Sequence, residues 1–453
     1  MHKKSIFWFR QDLRTHDNTG LHEAVQQSEA LLPIFILDTH IIESFGGLSD
    51  PKFGFIREAL EHIGESLKQL GGGDVLVLHG KPEELIPELI EKYDIECVFA
   101  NKTYGKYGQE RDEQVAKLAK CEFKSYKDFL LAEPHEVDTR KVFTPFYKLW
   151  KKVIESPQPP LLKGELGKFS QLKIDESTQA KDFITHEKHP YFTMEFGKKR
   201  VEHNITSSYE EVRNDLDKDG TSRLSPYLRF GIFSVRELYN KALQTSPPAP
   251  LLGGEGSSQK NAFISELAWR EFWWHIYYNF PDTVHTEFQE KRRHIEWETD
   301  EYLFSRWCEG KTGYPVVDAA MRQLNETGWM HGRARMIVAS FLTKDMHIDW
   351  RLGEKYFREK LLDFDTAVNL GNWQWSASVG ADPKPLRIFN PILQSEKFDP
   401  KGIFIRKYIP ELESEPIKAI HNPLENTLNY IRPIVDHREE TKVARELYKG
   451  EVN

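Results

Sequence analysis

Four short apolar runs do most to limit the folds open to this chain. Ile6 to Phe9, Leu31 to Leu37, Val75 to Leu78 and Cys97 to Ala100 each have the length of a buried strand. Runs of this kind, without polar alternation, belong to strands covered on both faces. Between them Phe55, Ile56, Leu60, Ile63, Leu67 and Leu70 recur at three- and four-residue spacing, and Gly71 to Gly73 closes the pattern. Strand and helix alternating over residues 5–126 predict a parallel sheet flanked by helices, an α/β Rossmann-like domain. No Gly-x-Gly-x-x-Gly follows the first run, so the usual dinucleotide fingerprint is missing.

From about Tyr209 the strand signal stops. Amphipathic segments at 262–279, 315–327, 332–346 and 351–362 predict an all-α second half. The expected division is an α/β domain over 1–130, a connector over 131–205 and a helical domain over 206–453. Nine of the 11 tryptophans fall between Trp269 and Trp375, a concentration that core packing alone explains poorly. The three cysteines, Cys97, Cys121 and Cys308, make no disulfide framework and no metal-binding spacing, which fits a reducing compartment. The apolar run before Arg10 is too short for a signal peptide, and no stretch approaches the roughly 18–20 apolar residues of a membrane span. A cytoplasmic protein is expected, neither secreted nor membrane-bound. Its net charge of −8 does not exclude nucleic-acid binding, which needs only a local basic face.

Two inserts, 156–165 and 246–255, match at seven of ten positions. They read as an element copied twice into loops that tolerate insertion, in preference to a pair of polyproline docking sites. No chemistry is expected there.

Other segments point to chemistry. Thr221, Ser222, Arg223, Leu224 and Ser225 lie just ahead of a helical pattern, where hydroxyls and free amides suit a phosphate; a helix cap with Pro226 in the first turn is the structural alternative. Glu266, Trp269, Arg270 and Trp273 recur at helical spacing and share one face. A carboxylate, an arginine and two indoles suit a flat ligand or a flipped base, or else an aromatic core stripe with a buried Glu–Arg pair. Arg333 and Arg335, two apart, serve different partners, and Asp363 and Asp365 flank Phe364 near an arginine. No nucleophile–base pair and no metal site stand out, so an organic cofactor is expected to carry the chemistry.

The ordered stretches Phe7-Trp-Phe-Arg-Gln-Asp-Leu-Arg, Val142-Phe-Thr-Pro-Phe, Thr221 to Leu228, Trp269-Arg-Glu-Phe, Lys311 to Leu324, Asn372-Trp-Gln-Trp and Arg387-Ile-Phe-Asn-Pro resemble the photolyase/cryptochrome flavoproteins over nearly the whole chain. The resemblance implies an α/β antenna domain and a helical domain holding FAD, with a second antenna chromophore of unknown identity. It implies that Tyr209, Thr221, Ser222, Arg223, Leu224 and Ser225 hold the phosphate side of FAD. Arg335, Asp363, Phe364, Asp365 and Asn369 then hold its ribose and ring. Trp373, Trp350 and Trp297 match a chain of electron-relaying tryptophans.

The lesion-facing positions are closest to the class I-type branch acting on cyclobutane pyrimidine dimers. Glu266, Asn369 and Met336 are the catalytic positions of that match. Trp269, Arg270, Trp273, Gly332, Arg333 and Trp375 face DNA, with the basic run Lys291 to His294 beside them. Gly332 departs from the asparagine usual at its position, and the loop from Gly380 to Arg387 is one residue short of the common form. The implied activity is blue-light repair of dimers in double- or single-stranded DNA by reduced FAD, performed by a monomer. The implied alternative is a cryptochrome-type photoreceptor that signals through a protein partner. A flavin electron carrier without light chemistry has no use for the lesion-facing residues.

Overall fold

The computed structural model describes residues 1–156, 169–172, 188–203, 205, 209–245, 262–383, 386–425 and 428–449. Apart from Ser156, the paired inserts lie outside these residues. Strands β1 (His2–Phe9), β2 (Ser28–Asp38), β3 (Leu76–Gly80), β4 (Cys97–Asn101) and β5 (Glu122–Tyr126) form a parallel sheet in the order β3-β2-β1-β4-β5, and the short β6 (Ser170–Gln171) also pairs with β2. The four apolar runs become β1 to β4. On one face Ile6 and Trp8 pack with Leu32, Ile34, Leu76, Val98 and the helical residues Ile86 and Leu89, while Phe7 and Phe9 are as deeply buried on the other. Burial on both sides is why these runs carry no polar alternation. At the edge, β5 is only partly buried and polar at several positions, so it has no apolar run to betray it.

The chain divides into two compact units, one of residues 1–138, 147–206 and 222–278, the other of 139–146, 207–221 and 279–453. The helix Ala262–Asn279 thus clusters with the sheet-bearing unit, not with the helices that follow it. Within that first unit its Glu271 is completely buried. The carboxylate accepts the backbone N–H of Leu131, the backbone N–H of Ala132 at 3.0 Å and the indole N–H of Trp150 at 2.6 Å. Burial raises its pKa, and these three donors oppose the rise.

The second unit is helical. Pro315–Thr327, Gly332–Lys344 and Trp350–Lys360 meet the periodic segments expected there, followed by Thr366–Ser376. Among the described residues from Tyr209 onward the only β-pairing is an isolated bridge between Glu298 and Ile348. Asp318, fully buried, seals the start of Pro315–Thr327. It accepts the backbone N–H groups of Thr312 at 2.7 Å and Gly313 at 3.0 Å, and the hydroxyls of Thr312 at 2.6 Å and Tyr430 at 3.0 Å. The motif Lys311 to Leu324 is therefore a structural anchor. No helix among the described residues is long and apolar enough to cross a membrane.

Candidate functional site

In the second unit the helices Gly332–Lys344 and Thr366–Ser376 bring the acidic pair and the amide together with their partners. Asp363 is 7% exposed. Its Oδ2 accepts Nη2 of Arg335 at 2.8 Å, and Arg335 also donates Nε to the carbonyl of Met330 at 2.9 Å. The other carboxylate oxygen, Oδ1, is buried and has no hydrogen-bond partner among the described residues. Leaving such an oxygen unpaired costs about 1–3 kcal/mol or more, so a ligand N–H or O–H is the natural completion. Asp365 caps the helix Thr366–Ser376, accepting the N–H of Val368 at 3.1 Å. Phe364 is buried, and the guanidinium of Arg358 lies 5.4 Å from its ring centre.

Asn369, one turn into that helix, donates its amide hydrogens to the carbonyl of Glu354 at 3.1 Å and to Glu354 Oε1 at 2.9 Å. The carbonyl end of the amide is therefore the end available to a ligand. Glu354, which sequence reasoning missed, is held in turn by Arg358 at 3.0 Å. A buried acceptor awaiting a donor and an oriented amide are features that a flavin ring would satisfy, so the residues fit FAD.

The three candidate relay tryptophans grade in burial. Trp373 and Trp350 are buried, while Trp297 is half-buried. Trp373 presses on the backbone of Trp350–Lys360 at Gly353, where a Cβ would lie 2.2 Å from its ring; only glycine allows that approach. Trp375 has the guanidinium of Arg387 4.9 Å from its ring centre and borders an open surface depression with Asp382 and Phe389. Met336 is half-buried. Gly332 is exposed, and a Cβ there would meet nothing within 4 Å, so a larger side chain is sterically admissible.

Arg333 is more committed than expected. It donates to Asn214 at 2.8 Å and lies 4.4 Å from the Phe398 ring centre. Burial lowers its pKa, with Arg213 and Arg387 adding to the effect. The basic run is divided as well. Arg292 turns to the carbonyl of Tyr448 and Arg293 to that of Glu287, while Lys291 and His294 are exposed and have no such tie among the described residues.

Lys344 ends the helix Gly332–Lys344 fully buried, its ammonium donating to the carbonyl of Ser376. It thereby caps the helix that carries Asn369, Trp373 and Trp375. Burial pushes its pKa down to about 7, with Asp345 opposing and Arg387 assisting. Below about pH 7 the folded protein bears the full cost of the buried charge. Between about pH 7 and 10 the unfolded lysine still holds its proton while the folded one does not, so stability rises with pH. Denaturant unfolding of wild type should accordingly gain up to about 1.4 kcal/mol per pH unit over that window relative to Lys344→Met. Parallel pH profiles for the two proteins would refute this.

In the first unit, Ser225 begins a five-residue helix, Ser225–Arg229, capped by Leu224 without any side-chain hydrogen bond. The structural alternative, a hydroxyl cap, is thus absent at this helix start. Arg223 sits at φ 52°, in the left-handed region, and turns the chain there. Thr221 and the buried Tyr209 belong to the second unit.

The helix Ala262–Asn279 does carry Glu266, Trp269, Arg270 and Trp273 on adjacent turns, with unequal exposure. Glu266 is exposed, while Trp269 and Arg270 are half-buried. The Arg270 guanidinium lies 4.0 Å from the Phe129 ring centre and donates to the Phe129 carbonyl at 3.2 Å. Trp273 is the most buried of the four. At 2% exposure it packs on Trp269 and Phe272. Apolar residues surround this helix, so spacing alone did not reveal which side meets the core.

Residues 5–163 match the family model described as DNA photolyase, and residues 263–450 match the FAD binding domain of DNA photolyase. The deoxyribodipyrimidine photo-lyase of a Synechococcus species is 37% identical, over 98% of this chain and 96% of that protein. The crystal structure of an archaeal photolyase from Sulfolobus tokodaii, which holds two FAD molecules, is similar with a TM-score of 0.85 and 33% identity, covering 98% of this chain and 99% of that one. A cryptochrome from Synechocystis is similar with a TM-score of 0.86 and 26% identity, covering 98% and 99%.

Proposed function

We propose a function that proceeds from one fact: this chain belongs to the DNA photolyase family. It is a deoxyribodipyrimidine photo-lyase, using blue light and reduced FAD to split cyclobutane pyrimidine dimers in DNA. The observation that carries the reading is the orientation of Asn369, whose hydrogens go to Glu354. A neutral amide with its oxygen turned to the ligand accepts a flavin N–H and does not repel an anionic reduced ring, as a carboxylate would. That environment suits an electron donor. Held by Asp363, Arg335 and Asn369, reduced FAD would supply light-driven one-electron chemistry that cycles without net oxidation.

The chain's own residues have separate tasks in this reading. Asp363, oriented by Arg335, accepts a hydrogen bond from the flavin ring, with Asp365 and Phe364 beside it. Tyr209 and the segment Thr221 to Ser225 take the phosphate side. Glu266 hydrogen-bonds the flipped-out dimer, Met336 packs against it, and Trp269 and Trp375 supply stacking surface. Arg270, Arg333, Lys291 and His294 contact phosphates, which position DNA without reading its sequence. Trp273 keeps a packing role, and Gly332 leaves space where a larger residue would reach the lesion. Trp373, Trp350 and Trp297 carry electrons to oxidised flavin. The functional division remains 1–130, 131–205 and 206–453, and the enzyme works as a cytoplasmic monomer on double- or single-stranded DNA.

Glu266 provides the test of the lesion-facing assignment. Removing a hydrogen bond to a charged group costs about 1.5–3 kcal/mol, so Glu266→Ala should lower the dimer-splitting yield roughly tenfold to a hundredfold while flavin content stays constant. Equal yields in the variant and wild type would remove Glu266 from the site.

A further inference from the structure

Trp297 and Trp350 share a single acceptor. Oε1 of Glu287 receives the indole N–H of Trp297 at 3.3 Å and that of Trp350 at 3.2 Å, and the same oxygen pairs with Nη2 of Arg351 at 2.9 Å. Glu287 is 6% exposed. Burial works against its charge, but the hydrogen bond from Trp350, a backbone donor, the Arg351 charge and the hydrogen bond from Trp297 outweigh it and hold the carboxyl below its ordinary range. It is therefore an anion. Arg351 is anchored by the His285 carbonyl at 3.1 Å and by Asp349 at 3.2 Å, with its guanidinium 4.7 Å from the centre of the Trp350 ring.

The two indoles thus share one carboxylate but differ in their second neighbour. A cation over an aromatic face favours the neutral, electron-rich ring and disfavours a positive hole there. No comparable cation over Trp297 is found among the described residues; its ring meets Tyr448 edge-on at 6.1 Å. An anion hydrogen-bonded to an indole N–H stabilises the positive ring, the more so in a site with little water.

We propose that Glu287 is a positioning residue of the electron relay, its carboxylate holding both indoles in register and, together with Arg351, driving the positive hole from Trp350 to Trp297. The proposal rests on the reading that Trp373, Trp350 and Trp297 carry electrons. Trp373 gives one electron to the light-excited oxidised flavin, Trp350 refills Trp373, and Trp297 refills Trp350. The net change is one electron lost by Trp297 and one gained by the flavin. The indole proton of Trp297 remains in its hydrogen bond to Oε1, and a thiol in solution later returns an electron to Trp297.

The test compares wild type, Glu287→Gln, Glu287→Asp and Trp297→Phe as FAD-loaded proteins with oxidised flavin. Transient absorption follows the tryptophan radical, and steady illumination with a thiol follows flavin photoreduction. Glu287→Gln should lower the yield of long-lived Trp297 radical by about tenfold, the ratio that corresponds to one hydrogen bond to a charged group. Glu287→Asp, which keeps the charge, should recover most of it. Dimer splitting by chemically reduced Glu287→Gln should stay within about twofold of wild type, since that step bypasses the relay. An unchanged radical yield in Glu287→Gln, with the yield lost in Trp297→Phe, overturns the role of Glu287 and leaves the relay standing. An unchanged yield in Trp297→Phe overturns the relay itself. A readout on flavin-free wild type needs no variant to fold: the Trp297 and Trp350 indole N–H vibrations should both shift as donors to a protein carboxylate. A solvent-like N–H at Trp297 would overturn the proposal.

Discussion

Asp363→Ala is expected to yield a folded protein that purifies depleted of flavin, with affinity for FAD reduced by roughly tenfold to a hundredfold. The carboxylate has one oxygen on Arg335 and the other buried with no partner among the described residues. Alanine removes the acceptor offered to the flavin and leaves the Arg335 guanidinium without its counter-ion. The hydrogen bond that the flavin loses to a charged acceptor is worth about 1.5–3 kcal/mol, and each 1.4 kcal/mol is tenfold in affinity. The flavin-to-protein absorbance ratio after gel filtration reads this directly. Stoichiometric FAD in the variant would show that the buried oxygen serves some other partner. Asp363→Asn separates the two contributions, because it retains a carbonyl oxygen while abolishing the charge that faces Arg335.

Glu271→Ala should be the most destabilising single change in the first unit. Three donors, the N–H groups of Leu131 and Ala132 and the indole of Trp150, would be left buried with nothing to accept them. At about 1–3 kcal/mol for each unsatisfied group the loss is at least about 3 kcal/mol, and at roughly 2–4 °C per kcal/mol for a unit of this size Tm should fall by about 10 °C. Glu271→Gln keeps one acceptor oxygen and should lose about half as much. Thermal unfolding followed by circular dichroism would measure both, and a Glu271→Ala midpoint within about 2 °C of wild type would contradict the assignment.

Much of this architecture can be read from residue order, and the exceptions share a cause. The strands β1 to β4 announce themselves because burial on both faces removes the polar positions from their apolar runs, and the helix at 315–327 because Arg322, Asn325 and Glu326 leave it a polar side. The edge strand β5 has neither signal. Asp363 and Arg335 are both legible through the resemblance, and the structure pairs them.

Glu354 and Glu287 are not legible. Each is an unremarkable acid in sequence, and what matters is a partner brought to it by packing: Asn369, 15 residues on, and Trp350, 63 residues on. The burial of Trp273 is illegible for a different reason. Its spacing places it with Glu266 and Trp269, but spacing gives the angle around a helix and not which angle faces solvent. The basic run Lys291 to His294 shows the same limit, since two of its four members turn inward to backbone carbonyls.

One measurement bears most directly on the central claim. Purified protein with chemically reduced FAD is mixed with an oligonucleotide carrying a single thymine dimer and illuminated with blue light, with a dark control, and thymine absorbance is followed. Light-dependent recovery that is absent in the dark is the predicted result, and Glu266→Ala should reduce it sharply. A protein whose flavin photoreduces through the tryptophans yet splits no dimer would contradict the repair assignment and turn the reading to light signalling.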